Sequence, residues 1–145
     1  DYDYGCVYAC LSPVFLENEI RLYYGGSDWL HFDWRTGCLA LATLRPDGFA
    51  GYQQDNPKEP GRLTTKLIAY NGQNVKLTAD VYEGGFINTK IIDRKGSLLA
   101  ERDIHNSVTD STVLESSLIS AEEIALKITA KSAKIFSFSL CDDQR

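Results

Sequence analysis

Apolar residues recur at every second position in short runs along this chain, polar turns separate the runs, and no stretch sustains a helical period. Side chains of an extended strand point alternately to opposite faces, so this period commits each run to a half-buried β-strand. Residues 74–82 are the clearest case, with Val75, Leu77, Ala79 and Val81 on one face and Lys76, Thr78 and Asp80 on the other. Ile124, Leu126, Ile128 and Ala130 alternate in the same way with Lys127, Thr129 and Lys131, which outweighs the helix-cap form of Ser120-Ala121-Glu122-Glu123. Residues 134–140 (KIFSFSL) place Phe136, Phe138 and Leu140 on one face. The expected class is all-β: an antiparallel β-sandwich of the jelly-roll or concanavalin-like kind over residues 61–145, preceded by β-hairpin strands.

Turn chemistry divides the runs. Asn71-Gly72 joins a strand over 63–70 to the one over 74–82 and predicts a two-residue hairpin. Glu83-Gly84-Gly85 turns the chain into a strand over 86–93, and Arg94-Lys95-Gly96 into one over 97–100. Residues 101–112 are polar and receive no assignment; a further strand follows over 113–119. Residues 1–52 form a separate, aromatic-rich segment with a strand over 6–9 and a break at Ser12-Pro13. Glu17-Asn18 then centres a hairpin that sets Ile20, Leu22 and Tyr24 on one face, and Gly25-Gly26-Ser27-Asp28 ends it. Residues 38–44 (CLALATL) are almost wholly apolar, which predicts a strand buried on both faces. Residues 53–60 (QQDNPKEP) have two prolines and nothing apolar to bury, so they read as a linker.

Composition closes off several functions. The net charge of −5 leaves no surplus of Lys and Arg to neutralise phosphates, so neither nucleic acid nor an anionic membrane is an expected partner. No apolar run approaches the roughly 20 residues that span a bilayer. The chain opens on Asp1-Tyr2-Asp3-Tyr4 and holds no Met, which reads as a mature product or an excised portion of a longer protein. Cys6 and Cys10 share one strand, which sets their Cα atoms about 13 Å apart. A disulfide tolerates about 7 Å, so these two do not pair, and the four cysteines read as buried or free thiols. His31 and His105 are the only histidines, and Asp103, Asp110 and Glu115 lack the spacing of a Ca²⁺ loop. No phosphate-cradling glycine motif and no G-x-S-x-G elbow occurs. No metal and no cofactor is expected. Compartment stays open, with a secreted or extracellular setting favoured.

The run EIRLYYGGSDWLH gathers Tyr23, Tyr24, Asp28, Trp29 and His31 around two glycines, and Trp34 and Arg35 follow closely. Glycines let a chain turn without a Cβ penalty and display the next side chains in a cleft. Trp and Tyr rings offer an apolar face with a polar edge, which suits stacking on sugars. These seven residues are the candidate carbohydrate site; the competing reading makes the aromatics hairpin core and Asp28 a turn cap.

The run SPVFLENEIRLYYGGSDWLH, followed by GCLALATLRPDGFAGY, resembles the final blade of five-bladed β-propeller proteins of glycoside hydrolase families 32 and 43. In those families such a blade precedes a C-terminal β-sandwich, so the resemblance covers most of the chain. It implies a glycosidase-like parent and a lining role for Asp28 and His31 in an intact propeller. Such enzymes draw paired carboxylates from several blades, roughly 5–10 Å apart across the sugar bond. Nothing here pairs Asp28 with Asp33, and Asp47 fits the Pro-Asp-Gly turn. No catalytic residue is therefore assigned. Three functions compete: an accessory sandwich that supports the propeller or binds carbohydrate, a fragment that lends loop residues to an active site, and a protein-interaction module. Unpaired strand edges would either extend the sandwich or form a homo-oligomer.

Overall fold

The computed structural model describes residues 1–142, so residues 143–145 of the expected sandwich lie outside the described part. The chain divides into two compact units, Asp1–Phe49 and Ala50–Arg145. Residues 50–60 belong to the second, because Tyr52 and Gln53 pair with Ile135 and Lys134.

The first unit is one antiparallel sheet of β1 (Cys6–Ala9), β2 (Val14–Phe15), β3 (Ile20–Ser27) and β4 (Gly37–Leu44). β3 is its centre: β4 pairs along one edge over the full length, and β1 and β2 share the other. The hairpin about Glu17-Asn18 forms, closed by the Leu16 N–H donating to the Glu19 carbonyl at 2.9 Å. The glycine pair does not end β3, contrary to expectation; Gly25 and Gly26 pair with Leu39 and Cys38, and the strand runs on to Ser27. A Cβ at Gly26 would stand 2.9 Å from the Asp3 Cβ, so glycine here admits the N-terminal segment rather than a turn.

β4 is also corrected. It was expected to be buried on both faces, yet Leu39 is 78% exposed and Leu41 46%. Among the described residues no second layer of this unit covers the sheet, and β4 pairs only with β3. Among the described residues of the unit, only Ile20, Gly26 and Ser27 are buried.

The second unit contains β5 (Tyr52–Gln53), β6 (Gly61–Thr64), β7 (Ile68–Ala69), β8 (Asn74–Ile92), β9 (Leu98–Ile104), β10 (Val108–Leu114) and β11 (Glu123–Cys141). β8 and β11 have 19 residues each and pair antiparallel from end to end. Both bend midway and thereby serve two layers. The first halves of β8 and second halves of β11 lie with β10 and β5; the remaining halves lie with β9 and β6. β7 pairs with the start of β11. Both layers bury side chains in one cluster, including Val75, Leu77, Ile87, Ile91, Ile124, Leu126 and Ile128. The chain is thus all-β and sandwich-like.

Several expected boundaries shift for identifiable reasons. Glu83-Gly84-Gly85 bends one strand instead of joining two: Gly84 takes φ +68°, and a Cβ on Gly85 would run into the Ser132 carbonyl. Ser132 supplies the matching bend in β11 with φ +46°. Asn71-Gly72 does turn, with Gly72 at φ +79°, but no hairpin results. β6 and β7 pair with β11, while β8 pairs with β9, β10 and β11. The unassigned residues 101–112 belong largely to β9 and β10. Phe136 leaves the face of Phe138 and Leu140, because a register shift between Ile135 and Ser137 reverses the alternation. Ile135 takes the inward place, and the Lys134 Nζ lies 5.4 Å from the centroid of the Phe136 ring. All four cysteines are free thiols.

Leu126 is fully buried and Leu39 is not, so truncation separates them. Leu126→Ala is expected to cost about 2–5 kcal/mol in urea unfolding. Leu39→Ala is expected to stay within about 0.5 kcal/mol. Equal losses would contradict the placement of the core.

Candidate functional site

The aromatic loop begins where β3 and β4 part. Ser27 pairs with Gly37, and the next residues, Asp28 and Thr36, close the loop neck. The Asp28 N–H donates to the Thr36 carbonyl at 3.3 Å, and the Thr36 N–H donates to Asp28 Oδ1 at 2.8 Å. Asp28 therefore spends a carboxylate oxygen on main chain, a cap that explains why an acid stands at this position.

Arg35 ties the same loop from inside. Its Nη1 donates to the His31 carbonyl at 2.6 Å and to the Leu30 carbonyl at 3.4 Å. The Ser27 hydroxyl donates to the Trp29 carbonyl at 2.8 Å. Asp33 adopts φ +65°, the left-handed region that an Asx residue tolerates, and this reverses the chain at the loop tip. With the backbone held this way, the rings point to solvent: Trp34 is 93% exposed, and Trp29 and Phe32 are at least half exposed.

His31 is anchored at 2.6 Å between its Nδ1 and the Tyr8 hydroxyl, the two rings being tilted by 54°. Tyr8 stands on β1, paired with Gly25, where the partner position has no side chain to fill. Tyr8 was not among the sequence candidates; twenty-three positions separate it from His31, and no local pattern links them.

Tyr23 and Tyr24 are brought together with Asp28 and the rest only in part. They are neighbours on β3 and face opposite sides of the sheet. The Tyr24 hydroxyl donates to Asp3 Oδ2 at 2.8 Å and lies 3.4 Å from the Tyr2 hydroxyl. Its pKa is raised above the ordinary tyrosine value, first by the Tyr2 hydrogen bond and then by the Asp3 carboxylate, since a phenolate there would lose a donor and meet a like charge. Tyr23, Tyr24, Asp3 and Leu22 border an open apolar hollow of about 520 Å³. The seven candidates thus fall into a loop set of Asp28, Trp29, His31, Trp34 and Arg35, and a β3 set of Tyr23 and Tyr24.

No cluster of three or more metal-binding side chains occurs among the described residues. Among them, too, no helix is long and apolar enough to cross a membrane. A scan against family models, a search of curated proteins and a search of solved structures each match nothing.

The Arg35 clasp is open to proteolysis. Arg35→Ala is expected to accelerate limited chymotrypsin cleavage within residues 29–34, read by mass spectrometry, and an unchanged rate would show that the guanidinium holds nothing. Tyr24 offers a pH test. A raised folded pKa contributes stability that is present below the unfolded tyrosine value of about 10 and fades as pH rises through the folded value. Ultraviolet titration of the native chain is therefore expected to show late tyrosinate ionisation that loses one step in Tyr24→Phe, while the step of Tyr70, which burial also raises, remains.

Proposed function

We propose that this chain is a non-catalytic accessory module of a glycosidase-like protein, which binds carbohydrate on its aromatic loop and supports the parent with its sandwich. One observation carries the reading. Asp28 and Arg35 bond to the loop's own backbone, while Trp34 at 93% exposure and its aromatic neighbours remain free outside. A pinned loop displaying bare rings has lost its entropy before a ligand arrives, so stacking on a sugar face gains more affinity. A flexible loop would have to order itself first.

Catalysis gains no support from the same geometry. The Asp28 carboxylate accepts from the Thr36 N–H and so serves the neck of its own loop. The motif resemblance to a terminal propeller blade fits the bare, apolar sheet of the first unit. A blade is flanked by sister sheets, and Leu39, Leu41, Val7 and Phe15 offer apolar surface to such neighbours. That surface and the open edge of β4 also favour a second reading, in which this unit is a protein interface or self-association surface.

Electrophoresis through gels containing soluble polysaccharides separates the two. Retardation by at least one neutral polysaccharide is expected, weakened about tenfold in Trp34→Ala and in Trp29→Ala, with unfolding stability within about 0.5 kcal/mol of native. Absence of retardation, together with concentration-dependent self-association in sedimentation, would replace the carbohydrate reading with the interface.

A further inference from the structure

The sandwich carries a second hollow surface, on residues outside the aromatic loop. It lies where β8 and β11 bend between layers. Gly85 presses there against the main chain of Ser132, which only a residue without Cβ permits. Two hollows, of about 260 Å³ and about 90 Å³, share Gln53 and Gln54 as walls. Tyr82, 53% exposed, and Asp55 border the larger; Tyr52, 70% exposed, and Arg62 border the smaller.

The framework of this cleft is fixed while its chemistry is idle. Tyr52 and Gln53 are locked by backbone pairing with Ile135 and Lys134. Gln54 packs on Gly61, where a Cβ would come within 3.1 Å of the Gln54 Cα. Yet among the described residues no hydrogen bond engages the amides of Gln53 and Gln54 or the hydroxyls of Tyr52 and Tyr82.

A glutamine amide presents two donors and an acceptor side by side. Neighbouring sugar hydroxyls, each donor and acceptor, match that pattern, and the C–H face of a sugar ring matches an exposed tyrosine ring. An engineered cavity of roughly 150 Å³ admits benzene, so the larger hollow has room for a six-membered ring. Asp55 beside it and the net charge of −5 disfavour an anionic ligand. We propose that this cleft binds a neutral oligosaccharide, one ring stacking on Tyr82 with its hydroxyls on Gln53 and Gln54, and the next unit extending toward Tyr52. This site stands independently of the aromatic loop.

The test is a titration of the full chain with xylotriose, maltotriose and cellotriose. It is followed through the side-chain amide NMR signals of Gln53 and Gln54, in the native protein and in the Trp29→Ala/Trp34→Ala variant. Saturable shifts are expected in both proteins for at least one trisaccharide. Tyr82→Ala is expected to weaken binding about tenfold, and Tyr82→Phe, which keeps the ring, to stay within about twofold. The proposal is overturned if no trisaccharide shifts these amides, if Tyr82→Phe binds as weakly as Tyr82→Ala, or if Gln53→Ala binds as tightly as the native protein. Saturation of the cleft by a decaproline peptide and by none of the sugars would overturn it equally. Because the double tryptophan variant carries the decisive arm, failure of the loop reading leaves this outcome legible.

Discussion

The antiparallel pairing of β8 with β11 is the interaction on which the second unit depends. Each inward residue of one strand meets an inward residue of the other, so Ala79 lies against Ile135 and Ile87 against Ala130. Full burial of one large aliphatic side chain contributes about 1.5–3 kcal/mol, and these two strands supply most of the fully buried ones. A straight pair of this length would leave its apolar face open to water. The bends at Gly84–Gly85 and Ser132 fold the ladder over itself, and one cluster then fills from both layers. The same bends leave the concave outer surface between Tyr52 and Tyr82.

The first unit is built on the opposite principle. Its sheet buries almost nothing, and its order comes from main-chain pairing to β3 and from polar ties at the loop. A lone sheet cannot exclude water from either face, which leaves apolar β4 open and the Trp29–Trp34 rings in solvent. Two chemically different surfaces follow: a wide apolar sheet and a narrow aromatic loop. Asp28 and Arg35, two of the seven candidates, serve the loop's own backbone.

Strand positions were largely legible because a period of two is a local property. Cys6–Ala9 appears as a strand with the expected bounds, and Val75, Leu77 and Ala79 are buried as their alternation requires. Pairing was less legible. Asn71-Gly72 encodes a turn, and the turn exists, but whether its flanks zip together depends on which strand competes for them; β11 wins. Of the candidate site, the loop set was readable as one contiguous run, whereas Tyr8 beside His31 and Tyr2 with Asp3 beside Tyr24 were not. Those partners come from a strand or segment far away in sequence, and no spacing announces them.

From residues alone came the all-β class, the turn positions and the concentration of aromatics between Tyr23 and Trp34, since each follows from side-chain alternation, backbone-permissive glycines or simple proximity along the chain. Tertiary structure decided which faces are wet. CLALATL is apolar enough for the inside of a protein, yet it lies open, because burial is a property of what packs opposite a strand and not of the strand itself. Likewise Phe136 faces away from Phe138 only because one residue more on β11 than on β8 must be absorbed where the two pair, a mismatch that exists only once both strands are in register.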